Sequence, residues 1–187
     1  MSELKHLQVR LAGPEDARAI ATLHDDSWRR HYRGAYADAF LDGEVVADRL
    51  AVWTDRLRTA DGHSHTILAE NATGVVGFAH TIFEDDPRWG ALLDNLHVSD
   101  RNRRGGVGSR LLTAAAGAVV ERGTGLYLWV LEQNADAQAF YAACGATFVG
   151  RAPVLPPGGV ASRLNGAPAM LRYAWTDPGA IVRLRCI

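Results

Sequence analysis

Cysteine is scarce in this chain. Among 187 residues there are two, Cys144 and Cys186, and no CxxC pair. That excludes a disulfide-dense framework and a zinc ribbon, so no metal and a reduced, cytoplasmic setting are expected. Long apolar runs are missing too: none reaches the ~18 residues of a membrane span. The opening MSELKHLQVRLAGPEDA lacks the apolar core of a signal peptide. No membrane partner is therefore expected. Charge of one sign is also lacking. Twenty Lys and Arg against 21 Asp and Glu leave a formal net charge of -1. No global field selects a polyanion, and no nucleic-acid partner is expected. Internal repeats and low-complexity linkers are absent.

What remains reads as a globular chain. Hydrophobic residues make up 48% and charged residues 22%, ordinary values for a packed core. The length suits a single domain over residues 1–187, with its core at about 7–175. Leu7, Val9 and Leu11 alternate as a first strand. Gly13-Pro14-Glu15-Asp16 suits a helix start, and Ala17, Ile20, Ala21, His24, Trp28 and Tyr32 follow at helical spacing. A second helix is expected over 44–57, with Val46, Leu50, Trp53 and Leu57 on one face. Residues 65–70 and 75–83 read as a hairpin about Asn71-Ala72-Thr73-Gly74, and 84–90 as a polar loop. Then come a strand (91–98), an apolar helix (106–121) and a buried strand (126–131). Asn134 begins another helix that Gly145 ends, and strands follow at Phe148-Val149 and 169–175. The strand–helix–strand run from 91 to 131 makes two parallel strands. The fold class is α/β: a mixed, mostly antiparallel sheet with a central parallel pair and helices on both faces.

The most informative segment is Leu96-His97-Val98-Ser99-Asp100-Arg101-Asn102-Arg103-Arg104-Gly105-Gly106-Val107-Gly108-Ser109. It runs from a strand end into a helix start. Backbone N–H groups there have no partner in the helix and bind anions, aided by the helix dipole. Glycine lets a phosphate approach closely, and the arginines add charge. A Walker loop is absent, and the third glycine of GxGxxG is replaced by Leu111. What matches is R-x-x-G-x-G, as Arg103-Arg104-Gly105-Gly106-Val107-Gly108. This resembles the acetyl-CoA-binding motif of the GNAT superfamily of N-acetyltransferases. The resemblance implies that amides from about Arg103 to Ser109 hold the CoA pyrophosphate. It also implies that Leu96, His97 and Val98 line the cofactor where the parallel strands part.

A second stretch, from Asn134 through Phe140, Tyr141, Cys144 and Gly145 to Phe148, is similar to the family pattern N-x-x-A-x-x-F/Y-Y-x-x-x-G-F. Two extra residues, Ala146 and Thr147, precede Phe148. Asn134 suits an N-cap as well as cofactor contact. Phe140 and Tyr141 point ~100° apart on a helix, so one aromatic is left for a surface other than the core. The resemblance assigns Tyr141 to the CoA sulfur as general acid; packing is the alternative. Cys144 is read as packing.

The reaction implied is attack by a neutral amine on a thioester carbonyl, with no covalent enzyme intermediate. The oxygen that gains charge needs a fixed N–H donor. In the family this is a backbone amide on the strand that here carries Val98. A carboxylate or ordered water must take the amine proton. Asp94 and Glu132 are the candidates, each with a solvated or capping role as its alternative. His97 is expected to alternate to the face opposite Asp94. The acceptor is a primary amine of a small molecule or peptide. Trp28, Tyr32 and Tyr36 either wall its pocket or pack on the sheet; Asp25 to Tyr36 is similar to a Ser-Trp-Arg…Tyr-Arg-Gly stretch of some bacterial GNAT members. Glu84, Asp85 and Asp86 either draw a cationic amine or form a solvated loop. The Pro- and Gly-rich loop from Pro153 to Gly166 is expected to border the site and to be mobile. A homodimer is compatible with the sequence. Two readings compete with the enzyme: a non-catalytic acetyl-CoA-binding regulatory domain, and a nucleic-acid module using the Arg101–Arg110 cluster.

Overall fold

A computed structural model describes residues 7–59 and 61–184; Cys186 lies outside them. Seven strands form one sheet in the order β1-β2-β3-β4-β5-β7-β6. They are β1 Gln8–Leu11, β2 Ser64–Asn71, β3 Gly74–Asp86, β4 Gly90–Val98, β5 Leu126–Leu131, β6 Thr147–Pro153 and β7 Ala169–Trp175. The helices are α1 Ala17–His31, α2 Val45–Arg58, α3 Val107–Val120, α4 Ala135–Ala143 and α5 Gly179–Leu184. All neighbouring pairs are antiparallel except β4 and β5. Among the described residues no helix is long and apolar enough to cross a membrane.

The sheet is apolar on both faces because each face carries helices. Leu111, Leu112, Ala115, Ala116 and Val119 of α3 are fully enclosed. They pack on Ile67, Ala79, Leu93, Leu126 and Leu128. On the opposite face Ile20 and Trp53, from α1 and α2, meet Leu68 and Phe78. A third cluster joins Trp28, Tyr36, Phe40, Leu41 and Val45 to Leu131 and Val154. It closes the end of the sheet where β5 finishes.

Three boundaries differ from the sequence reading. The polar run at 84–86 continues β3, with Glu84 at φ 55°, because β4 returns alongside it as far as Gly90. A π-helical turn, Phe40–Glu44, precedes α2. Its extra residue per turn rotates the helix, so Val45, Arg49 and Trp53 face inward while Val46 is 46% exposed. The third concerns β4. His80 of β3 pairs with Asn95, and Thr81 pairs with Leu93. Asp94 is therefore the extra residue of a β-bulge.

Buried imidazoles accumulate under α1 and α2. The Trp53 indole donates to His24 Nδ1 at 2.9 Å. His80 shares a 2.9 Å hydrogen bond with Thr66. His24 stacks near His97, ring centres 4.6 Å apart. Burial, with the Arg56 charge second, pushes His80 down to about 4. Burial, with the His31 charge second, pushes His97 down to about 3. Burial also holds His24 well below its usual value. In the unfolded chain these groups titrate near ~6.5. Between that pH and their folded values the unfolded state binds more protons, so stability falls as pH falls from 6.5 toward 4. Each proton adds about 1.4 kcal/mol per pH unit to that slope. Urea unfolding at pH 6.0 and 5.0 measures it. His80→Gln is expected to reduce the slope by about one proton's share; an unchanged slope contradicts the assignment.

Candidate active site

The parallel pairing of β4 and β5 is short. It covers only Ala91 with Leu126 and Leu92 with Tyr127. Beyond Leu92 the strands separate, yet β4 runs on to Val98 and β5 to Leu131. The result is a wedge-shaped mouth in the centre of the sheet. Ser99 N–H donates to Val76 O of β3 at 2.8 Å. Main-chain groups alternate sides along a strand, so the N–H groups of Val98 and Leu96 point away from β3, into the mouth.

Just past β4 the chain turns through Asp100–Asn102 into α3. Gly106 caps α3 with φ 75°, and Arg104 has φ 60°. A Cβ on Gly106 meets nothing within 4 Å, so the loop surface is open above it. Of the seven amides from Arg103 to Ser109, two serve the turn. Arg103 N donates to Asp100 O at 3.3 Å, and Gly105 N to Asn102 O at 3.4 Å. The other five, on Arg104, Gly106, Val107, Gly108 and Ser109, have no protein acceptor among the described residues. They form a cluster of donors at a helix N-terminus, the arrangement that binds anions. Val107 and Ser109 are buried by their side chains and fix the turn. Gly108 lies against Phe140, Val98 and Leu96, which joins the donor cluster to the mouth. Arg103 is engaged by Asp136 at 3.1 Å and lies 3.8 Å from Asp100. Arg104 has no carboxylate within 4 Å among the described residues.

On the far side of the mouth, Asn134 caps α4, its Oδ1 accepting from Ala137 N at 3.2 Å. Tyr141 is 8% exposed. Its ring sits between Phe140, 5.2 Å away, and Trp175, 6.2 Å away. Phe140 is only partly buried, and Cys144 is buried. Burial first, and the Tyr32 phenol second, raise the Tyr141 hydroxyl above its ordinary value of 10. The Tyr141 hydroxyl has no hydrogen-bond partner among the described residues.

The acceptor side is aromatic. Trp28 packs on Tyr32 (5.2 Å) and Tyr36 (4.9 Å), and the tyrosines are 5.0 Å apart. Burial first, with the Asp94 charge second, lifts Tyr32 to about 12. Burial also raises Tyr36. Asp94 accepts from Arg56 at 2.7 Å and from Asn95 at 2.6 Å. His97 bonds Ser27 of α1 at 2.7 Å. Asp94 and His97 therefore stand on the same face, under α1 and α2, which corrects the expected alternation. The bulge at Asp94 reverses the parity of β4. Glu132 stands apart: Arg151 of β6 grips it through two 2.8 Å bonds, and that pairing holds its carboxyl below the usual range. The loop after Pro153 is tied down. Arg163 reaches Asp48 at 2.6 Å and Glu44 at 3.1 Å, and Arg163 O accepts from Ala37 N at 2.9 Å.

Two site residues escaped the sequence reading. Arg56 pairs with Asp94. Arg49 is 8% exposed with its guanidinium 4.2 Å over the Trp28 ring. Arg49 had a signal: it lies four residues after Val45 and four before Trp53, on the stripe that proves buried.

Known proteins are similar to this chain. Residues 20–146, more than half of the chain, match the model of the Acetyltransferase (GNAT) family. The chain is 29% identical over 130 residues to the uncharacterized N-acetyltransferase YuaI of Bacillus subtilis (strain 168), covering 67% of this chain and 72% of that protein. The PaiA N-acetyltransferase of Thermoplasma acidophilum, solved in complex with coenzyme A, superposes with a TM-score of 0.70. It is 16% identical, with 90% of this chain and 99% of that one covered. YncA of Salmonella typhimurium, solved with its cofactor acetyl-CoA, gives 0.65 at 17% identity, covering 92% and 94%. At such identities the two structures speak for the fold, and the family match speaks for the chemistry. The chain belongs to the GNAT family of acetyltransferases and is an acyltransferase.

Proposed function

We propose that this protein moves an acetyl group from acetyl-CoA to a primary amine of a small molecule or peptide by direct attack. One observation carries the reading: five partnerless amides at the α3 N-terminus adjoin a mouth between β4 and β5 lined by main-chain donors, a phenol and a carboxylate. A diphosphate fits the amides, since Gly106 adds no Cβ there and the free Arg104 adds charge. Acetyl-CoA supplies the activated acetyl thioester.

The chain's own groups do the rest. Amides of Arg104 and Gly106–Ser109 hold the diphosphate, and the exposed edge of β4 at Leu96–Val98 aligns the carrier's arm. Val98 N–H stabilises the charge that develops on the carbonyl oxygen. Asp94 takes the amine proton; Arg56 orients it. Tyr141 gives its proton to the departing sulfur. Tyr32 and Tyr36 exclude water on the acceptor side. The acceptor is expected in this pocket, and the reaction needs no metal.

Release of free thiol on mixing the protein, acetyl-CoA and a panel of amines tests the reading. Saturable acetyl-CoA binding with no thiol release from any amine favours a regulatory binding domain instead. Asp94→Asn is expected to lower kcat/KM by ~10²-fold or more, the usual scale of general base catalysis. Stability changes little, because the pair with Arg56 is partly exposed. Unchanged kcat/KM moves the base to another group or to an ordered water.

A further inference from the structure

Arg172 of β7 is a cation near the mouth that makes no hydrogen bond among the described residues. Its side chain is 25% exposed, and its guanidinium carries five N–H donors. None of them makes a hydrogen bond among the described residues, and Nε is enclosed without a partner. The nearest carboxylate oxygen, on Asp86, is 4.0 Å away, beyond hydrogen-bond reach. The other Asp86 oxygen accepts from the Arg88 and Trp89 amides at 2.8 and 3.0 Å, and Asp85 accepts from the Tyr127 hydroxyl. Aromatic rings frame the guanidinium: Trp129 at 4.4 Å, Tyr127 at 5.3 Å and Trp89 at 5.8 Å. They fix its position without using its donors. A largely buried, rigid cation with idle donors suits a planar anion held by two parallel bonds.

Its place in the sheet matters as much. Arg172 pairs with Trp129 in the β5–β7 ladder. Trp129 lies two residues beyond Tyr127, where the parallel pairing ends; Asp94 lies two residues beyond Leu92. Asp94 and Trp129 thus flank the mouth, with Arg172 one strand further, about 4.8 Å on. An amine beside Asp94 leaves its substituents over Trp129 and toward Arg172. Asp94 is already neutralised by Arg56, and Asp85 and Asp86 are engaged by the Tyr127 hydroxyl and by the Arg88 and Trp89 amides, so the free donors on this side are those of Arg172.

We propose that Arg172 is a specificity-determining residue that binds a carboxylate on the acceptor, so that the amines acetylated are amino-acid-like zwitterions rather than polyamines. This rests on the acetyl-transfer reading. Its test compares free amino acids with their carboxamides, together with spermidine, in the thiol-release assay. The expected result is a kcat/KM at least tenfold higher for the acid of each accepted pair. The amine of a carboxamide is less basic, a bias that runs against this outcome. Arg172→Gln is expected to bring the ratio close to one, mainly through KM, and Arg172→Lys to restore part of it. Should Arg172→Gln fail to fold, the wild-type ratio still decides. Carboxamides or spermidine used as well as the acids overturn the inference and leave acetyl transfer standing. So does a ratio that survives Arg172→Gln. Acetyl-CoA binding with no amino acid acetylated also overturns it. A chain that binds no acetyl-CoA in calorimetry overturns the transferase reading itself.

Discussion

A glutamate at Gly106 is expected to weaken acetyl-CoA binding at least 100-fold while the protein stays folded. Two effects combine. Gly106 adopts φ 75°, a left-handed conformation that costs an L-residue about 1–2 kcal/mol. The new carboxylate also stands at the positive end of α3, beside the Val107, Gly108 and Ser109 amides. It accepts the bonds those amides otherwise give to the diphosphate, and it repels that diphosphate. The same carboxylate interacts favourably with the helix dipole, by about 0.3–1 kcal/mol, which offsets part of the backbone strain. A Cβ at this position meets nothing within 4 Å, so no core contact is disturbed. The melting temperature is therefore expected to move by a few degrees, whereas calorimetric titration with acetyl-CoA shows little heat. Gly106→Ala separates the two effects, since it carries the strain without the charge and should bind measurably. Full affinity in Gly106→Glu contradicts the assignment of the diphosphate to these amides.

The sequence exposed what depends on local chemistry and hid what depends on pairing across the sheet. The span of β7, Ala169–Trp175, was readable, because it is a short, mostly apolar run. Asn134 was readable as a cap, since its side chain needs only the amide three residues on. The donor cluster was readable because glycines and a helix start define it within six residues. That two of its amides serve the turn was not, because a 3₁₀ turn at Asp100–Asn102 leaves no pattern of its own. The bulge at Asp94 has no signature in β4 alone. It exists because His80 and Thr81 register against Asn95 and Leu93, and that register belongs to the pair of strands. Its consequence is large: Asp94 and His97 share one face, under α1 and α2. The sequence offered Asp94 and Glu132 on equal terms as bases. They stand in different places: Arg56 pairs with Asp94 at the mouth, whereas Arg151 engages Glu132 at the edge.

Loss of the Tyr141 hydroxyl is expected to lower kcat by ~10²-fold or more, the scale on which a positioned general acid acts, with acetyl-CoA affinity unchanged. The ring is held between Phe140 and Trp175, and phenylalanine keeps that packing. The hydroxyl has no partner among the described residues, so its removal orphans no buried donor or acceptor. Stability is then expected to change by less than about 1 kcal/mol, and a fall in rate cannot come from unfolding. The pH profile adds an independent check. Burial, joined by the Tyr32 phenol, raises Tyr141 above its ordinary value, so the protonated form that donates is present throughout the working range. Activity in the wild type should rise with pH as the amine loses its proton, with no descending limb below pH 10. An unburied phenol is already half deprotonated at ~10. In Tyr141→Phe the rise should persist at the lower level, because the group that sets it is untouched. A descending limb that begins near pH 8.5 in the wild type and vanishes in the variant means that Tyr141 donates from a normal or lowered pKa. Turnover that survives the substitution intact means that solvent, not this phenol, protonates the sulfur.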